Sequence, residues 1–216
     1  FFALGLVKAT SSPVVLLTTS GTAMANAFPA LIEAEACQLQ LVLVSADRPT
    51  SYKWSGANQT IDQVKLFGDK VRAFYDIPCP AIEKDAHYAH QVVRRALAMS
   101  GFPLPGPVHI NVHFDLPLAP PSTGESAAYK QSQQHPGPLD VWTRMTPATF
   151  VKIQSMIHQA RRGLLVIGAL EHEKDRLAAL DVVRELKWPV ITDVSSGLQL
   201  EPLPCRIQPV DLLFQT

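Results

Sequence analysis

"PVVLLTTSGTAMANAFPALIEA", residues 13–34, decides the fold. Val14 to Thr18 is a short apolar run, of strand rather than helix length, with nothing to mark one face as wet. Thr19-Ser20-Gly21-Thr22 turns the chain. Small residues then open a helical stretch from about Gly21 to Cys37. A strand apolar on both faces that runs through a tight turn into a helix is the repeating unit of a covered parallel sheet.

The same alternation continues outward. Leu39 to Ser45 reads as the next strand, followed by a polar loop and a short helix near Ile61 to Leu66. Val71 to Ile77 reads as a strand, Ala86 to Met99 has helical periodicity, and Val108 to Val112 is again strand-like. Residues 117–145 are rich in Pro, Ser, Gly and Gln and read as a linker, because such sequence cannot offset its ordering entropy by burial. Beyond it come a helix from about Pro147 to Arg161, a strand Leu164–Ile167, a helix Lys174–Leu186 and a strand Val190–Val194. Val210 to Phe214 resembles a further strand. The expected architecture is α/β throughout: a parallel-sheet domain over 1–116, the linker, and part of a second, Rossmann-like α/β domain over 146–216.

Composition narrows the function. The 216 residues carry 19 basic and 19 acidic side chains, which gives no electrostatic reason to expect nucleic acid or an anionic membrane. No apolar run approaches the roughly 20 residues that cross a bilayer. Cys37, Cys79 and Cys205 are far apart without a CxxC pair, which argues against structural zinc and a disulfide framework and fits a reducing cytoplasm. Phe1–Lys8 is apolar but lacks an initiator methionine and a cleavage pattern. It reads as the middle of a helix, and the chain as an internal piece of a longer protein.

Two stretches carry candidate chemistry. The turn Thr19-Ser20-Gly21-Thr22 leaves N–H groups and hydroxyls at a helix start, where they serve equally as ordinary caps or as donors to a polar ligand. No GxGxxG or P-loop pattern is present. "SADRPTSYKWSGANQT", residues 45–60, places Asp47, Arg48, Lys53, Asn58 and Gln59 beyond a buried strand, where open α/β sheets bind ligands. Arg48 matches carboxylate or phosphate. Taken singly, Asp47–Arg48 would be a surface pair, but the cluster also contains Trp54, whose ring favours cover. Arg161-Arg162 follows a helix, where the dipole alone favours cations. Glu171, His172, Glu173 and Asp175 have no specific metal spacing, and His109 and His113 read as structural.

The patterns "TSGTA..N..PA.IEA" and "ADRP…GANQTI.Q", continued by "GPVHINVHFDLPL", "LLVIG" and "WPVITDVSSGL", resemble the pyrimidine-binding and middle (transhydrogenase-III-like) domains of thiamine-diphosphate enzymes. More narrowly they resemble the SEPHCHC synthase (MenD) family. That resemblance implies a transferase that joins 2-oxoglutarate to isochorismate with loss of carbon dioxide, using thiamine diphosphate and Mg²⁺, in menaquinone or phylloquinone biosynthesis. It implies Arg48, Asn58 and Gln59 as a substrate wall, Gln59 facing the reacting centre, Arg161 and Arg162 extending the basic pocket, and Thr19, Ser20, Gly21 and Asn26 at the cofactor.

The family's catalytic glutamate corresponds to a position upstream of Phe1, and its Mg²⁺-diphosphate domain has no counterpart in these residues. The resemblance therefore implies an inactive fragment of a cytoplasmic homodimer or homotetramer. An acetolactate-synthase-like enzyme or 2-oxo-acid decarboxylase shares the "TSG" turn but not the basic "ADRP…GANQ" loop. A non-catalytic α/β binding or assembly module is the reading from a different class.

Overall fold

The computed structural model describes residues 1–79, 85–116, 118, 141, 143–170 and 172–207, which fall into two compact units divided after Trp142. Most of the Pro-rich stretch and the strand expected at Val210–Phe214 lie outside the described residues.

In the first unit, helix α1 (Phe2–Thr10) leads into β1 (Val14–Thr18). A tight 3₁₀ stretch (Gly21–Ala27) becomes α2 (Phe28–Ala36), with Pro29 in the first turn, where its missing N–H costs nothing. Then follow β2 (Leu41–Asp47), β3 (Phe74–Ile77), α3 (Asp85–Gly101) and β4 (Val108–His113). All four strands are parallel, in the order β1-β2-β4-β3. Two helices and one helix divide the faces. Leu4 of α1, Ala30, Leu31 and Ala34 of α2 and Met24 cover the face carrying Leu41 and Leu43. Val92 and Ala96 of α3 cover the face carrying Val42, Val108 and Ile110. Each leucine, isoleucine, valine or methionine buried there contributes roughly 1.5–3 kcal/mol.

The helix expected at Ile61–Leu66 is absent; that stretch is a series of turns. The Asp62 carboxylate accepts from the Val64 N–H, Lys65 adopts φ +53°, and Gln63 turns wholly inward. Side-chain bonds thus replace the helical ladder, a competition that short polar residues often win. The helix expected from Gly21 likewise begins as 3₁₀ and becomes α-helical only at Phe28.

The second unit holds α4 (Pro147–Gln159), β5 (Leu165–Ile167), α5 (Glu173–Leu186) and β6 (Val190–Thr192), with β5 and β6 paired in parallel. Thr146 Oγ1 caps α4 by accepting from the Thr149 N–H at 3.2 Å. Leu180, Val183, Val190 and Leu198 form its buried centre. Among the described residues no helix is long and apolar enough to cross a membrane.

Candidate functional site

One sheet face changes character along its length. On β2 it reads Leu41, Leu43, Ser45, Asp47; on β4, His109, Asn111, His113; on β3, Phe74, Asp76. The opposite face stays apolar, with Val42, Val44, Val108, Ile110 and Val112. Polar side chains therefore collect at the carboxyl ends of the strands on one face, where an open parallel sheet presents its ligand site.

The turn after β1 ends at that edge. Gly21 has φ +80°, and a Cβ there would lie 3.0 Å from Gln59 Cγ and 3.2 Å from the Gln59 carbonyl oxygen. Only glycine lets the turn and Gln59 close on each other. Gln59 Nε2 donates to Thr19 Oγ1 at 3.0 Å and to the Ser20 carbonyl at 3.1 Å, while Ser20 Oγ donates back to the Gln59 carbonyl at 3.1 Å. Both amide protons are committed, so Oε1 is the atom left for a ligand. Gly21→Ala is expected to cost about 2 kcal/mol through left-handed strain and this contact, read from the denaturant midpoint of the chain.

Arg48 begins the loop after β2. Its guanidinium lies 5.5 Å from the centroid of the Tyr52 ring, within cation–π range. Arg48 Nε and Thr18 Oγ1 are buried with no hydrogen-bond partner among the described residues. Thr18 pairs with Ser45 in the sheet register, so both orphaned atoms belong to the carboxyl ends of adjacent strands. Buried donors without partners are rare and mark a place where another group completes the bonding. Further along the loop, Lys53 pairs with Asp62 at 3.1 Å and borders a small cavity of about 180 Å³ lined also by Tyr52, Trp54 and Thr60. The Lys53 ammonium holds the Asp62 carboxyl below its ordinary range. Trp54 does not find the cover its ring favours: it is 90% exposed, at φ +66°.

Behind these loops lies a buried polar network. Asp47 is 2% exposed, so it is not half of a surface pair. Its Oδ1 accepts from the Arg48 N–H at 2.8 Å, and its Oδ2 accepts from Asn111 Nδ2 at 2.8 Å. Ser45 Oγ donates to Asn111 Oδ1, which leaves His109 Nε2 to donate to Ser45 Oγ. His109 Nδ1 is buried without a partner among the described residues, and the His109 ring packs against Phe67 and Phe74 with ring centroids 5.0 and 5.1 Å away. Burial holds this histidine down to about 4, with Asp76 pulling weakly the other way. Both ring nitrogens of His113 face oxygen acceptors, the Arg48 carbonyl at 2.8 Å and Asp76 Oδ1 at 2.9 Å.

The expected site residues thus fall into distinct groups. Thr19, Ser20, Gly21 and Gln59 interlock, and Arg48 starts from the neighbouring strand end. Asn58 is exposed, its carbonyl accepting from Thr60 Oγ1. Asn26 is exposed, its amide turned back toward the Thr22 carbonyl at 3.4 Å. Arg161 and Arg162 are exposed in the bend between α4 and β5 of the second unit. They precede Gly163, where a Cβ would run into the Trp188 indole. Sequence reasoning missed Asp47 as a buried acceptor, along with Gln63 and Asn111. The alternation Val-His-Ile-Asn-Val-His in β4 was the available signal, since period two in a buried strand separates its faces.

Residues 1–66 match the family described as thiamine pyrophosphate enzyme, N-terminal TPP binding domain. The first unit accordingly has the pyrimidine-binding-type α/β fold of that class.

Within it, the chain resembles SEPHCHC synthases. It is 36% identical over 200 residues to the 2-succinyl-5-enolpyruvyl-6-hydroxy-3-cyclohexene-1-carboxylate synthase of Lysinibacillus sphaericus, covering 92% of this chain and 34% of that protein. It is 38% identical over 217 residues to the synthase of the same name from Salinibacter ruber, covering 92% of this chain and 35% of that protein. Against the chloroplastic protein PHYLLO of Arabidopsis thaliana it is 35% identical over 220 residues, 94% of this chain and 12% of that protein. The chain spans about a third of the length of the curated synthases it matches.

Proposed function

We propose that the full-length protein is a SEPHCHC synthase, a thiamine-diphosphate-dependent transferase of menaquinone or phylloquinone biosynthesis. It adds the succinyl unit of 2-oxoglutarate to isochorismate with loss of carbon dioxide. The observation that carries this reading is Arg48, half-buried with an unpartnered Nε at the same sheet edge as the Thr19–Gly21 turn and Gln59. Both substrates bear carboxylates, and a guanidinium is the donor whose fork matches them.

The residues present fit the cofactor's neighbourhood in part: a turn closed by glycine, an orphaned Thr18 hydroxyl and the uncommitted Oε1 of exposed Gln59 suit a polar heterocycle. Thr19, Ser20 and Gly21, with Asn26 further along, would line the cofactor. When bound, thiamine diphosphate supplies the carbon nucleophile of the reaction. The chain's own residues bind and orient. Arg48 holds a substrate carboxylate, Gln59 fixes the substrate's position through Oε1, and Asn58 lines the wall. Residues beyond this chain hold Mg²⁺ and the diphosphate and supply the catalytic glutamate, in a cytoplasmic homodimer or homotetramer.

The test is product analysis by mass spectrometry on the full-length protein with thiamine diphosphate, Mg²⁺ and 2-oxoglutarate, with and without isochorismate. The expected result is the succinyl adduct only when both substrates are present, and no turnover by the 216-residue chain alone. An acetolactate-type product from pyruvate, or release of an aldehyde with isochorismate ignored, would overturn the assignment.

A further inference from the structure

The Gly21 N–H and the Arg48 N–H are joined by an unbroken run of buried side-chain bonds. Gly21 N–H donates to Gln63 Oε1 at 2.7 Å. Gln63 Nε2 donates to Asn111 Oδ1 at 2.8 Å and to the Ala46 carbonyl at 3.0 Å. Asn111 Nδ2 donates to Asp47 Oδ2 and to Asp76 Oδ1, each at 2.8 Å. Asp47 Oδ1 then accepts from the Arg48 N–H. Gln63 and Asn111 have no solvent exposure.

The run has a direction. Two carboxylates accept only, so Asn111 must turn its NH₂ toward them and its Oδ1 toward Gln63. Gln63 must then offer Nε2 to Asn111, which leaves Oε1 as the acceptor for the Gly21 N–H. The charge beside Arg48 therefore dictates, through two amides, what the turn after β1 meets. Fully satisfied networks of this kind hold their members in one arrangement, whereas a partly satisfied one is costly.

We infer that Asn111 is a positioning residue that couples the Ser20–Gly21 turn to Arg48, holding the two walls of the ligand site in register. Its importance for substrate rests on the reading given under Proposed function; the coupling itself does not.

The test is residue-level amide hydrogen exchange of the 216-residue chain in the variants Asn111→Ala and Gln63→Met. Asn111→Ala is expected to speed exchange at both Gly21 and Arg48 by about tenfold, the equivalent of one lost hydrogen bond, with Leu43 and Ile110 changed less than about twofold. Gln63→Met is expected to speed Gly21 to a similar degree and also Arg48, several bonds away, by about threefold. Faster exchange spread evenly over the sheet, or an Arg48 amide indifferent to Gln63→Met, would overturn the coupling.

If Asn111→Ala does not fold, Gln63→Met alone decides, through the exchange rate of the Arg48 amide. In the full-length protein, Gln63→Met should raise KM for 2-oxoglutarate about tenfold while leaving kcat within about threefold. Loss of kcat alone contradicts a positioning role. Inactivity of the unmutated protein would count against the functional reading and leave the exchange result standing.

Discussion

On the proposed function, Arg48→Ala in the full-length protein is expected to lower kcat/KM for 2-oxoglutarate by about 10²- to 10³-fold, equivalent to roughly 3–4 kcal/mol of lost transition-state binding. The size follows from where the guanidinium sits. It is partly withdrawn from water, stacked near Tyr52, and carries a buried Nε that nothing among the described residues satisfies. A cation held in that way gains most when a carboxylate completes its bonds, and the carboxylate loses most when the cation is removed. Arg48→Lys recovers only part of the loss, because an ammonium restores charge without the planar fork. Steady-state kinetics on the alanine and lysine variants decide it. Equal rates for Arg48→Ala and the unmutated protein would remove Arg48 from the site.

The second large effect is on stability below neutral pH. His109 is fully buried, its ring packs against Phe67 and Phe74, and its folded pKa is lowered from 6.5 to about 4. Above about pH 6.5 the ring is neutral in both folded and unfolded chains and makes no difference to stability. As pH falls from about 6.5 to about 4, the unfolded chain takes up a proton that the folded chain refuses, so stability is lost across that window. At about 1.4 kcal/mol per tenfold in proton concentration, the loss approaches 3 kcal/mol. Urea titrations at pH 7.5 and pH 4.5 measure it, and His109→Gln should remove that share of the slope. A variant as acid-sensitive as the parent would show that other groups cause the loss.

Much of the fold was legible because apolar runs of strand length are hard to misread. Val14–Thr18 appeared with its expected bounds, and the other strands expected among the described residues kept their places with ends moved by a few residues. Those ends moved because strand pairing, not composition, sets them: Ala46 and Asp47 belong to β2 through their pairing with Val112 and His113. Ile61–Leu66 was misread because its apolar spacing fits a helix turn, whereas the decisive interaction is Gln63 reaching Gly21 across 42 residues. The candidate site was legible on its outer side only as a cluster: Arg48 and Gln59 are polar groups that follow a buried strand. Its inner side was not, since Asp47 looks like a loop residue until the ladder places it under Arg48.

The four commitments of the Asn111 amide also limit how this edge can change over time. Replacing it alone would strand a glutamine and leave two carboxylates facing each other unseparated. Altered versions of this wall should therefore arise as sets of compensating substitutions. A library that varies Asp47, Gln63, Asp76 and Asn111 together should yield folded members that no single-position scan would reach.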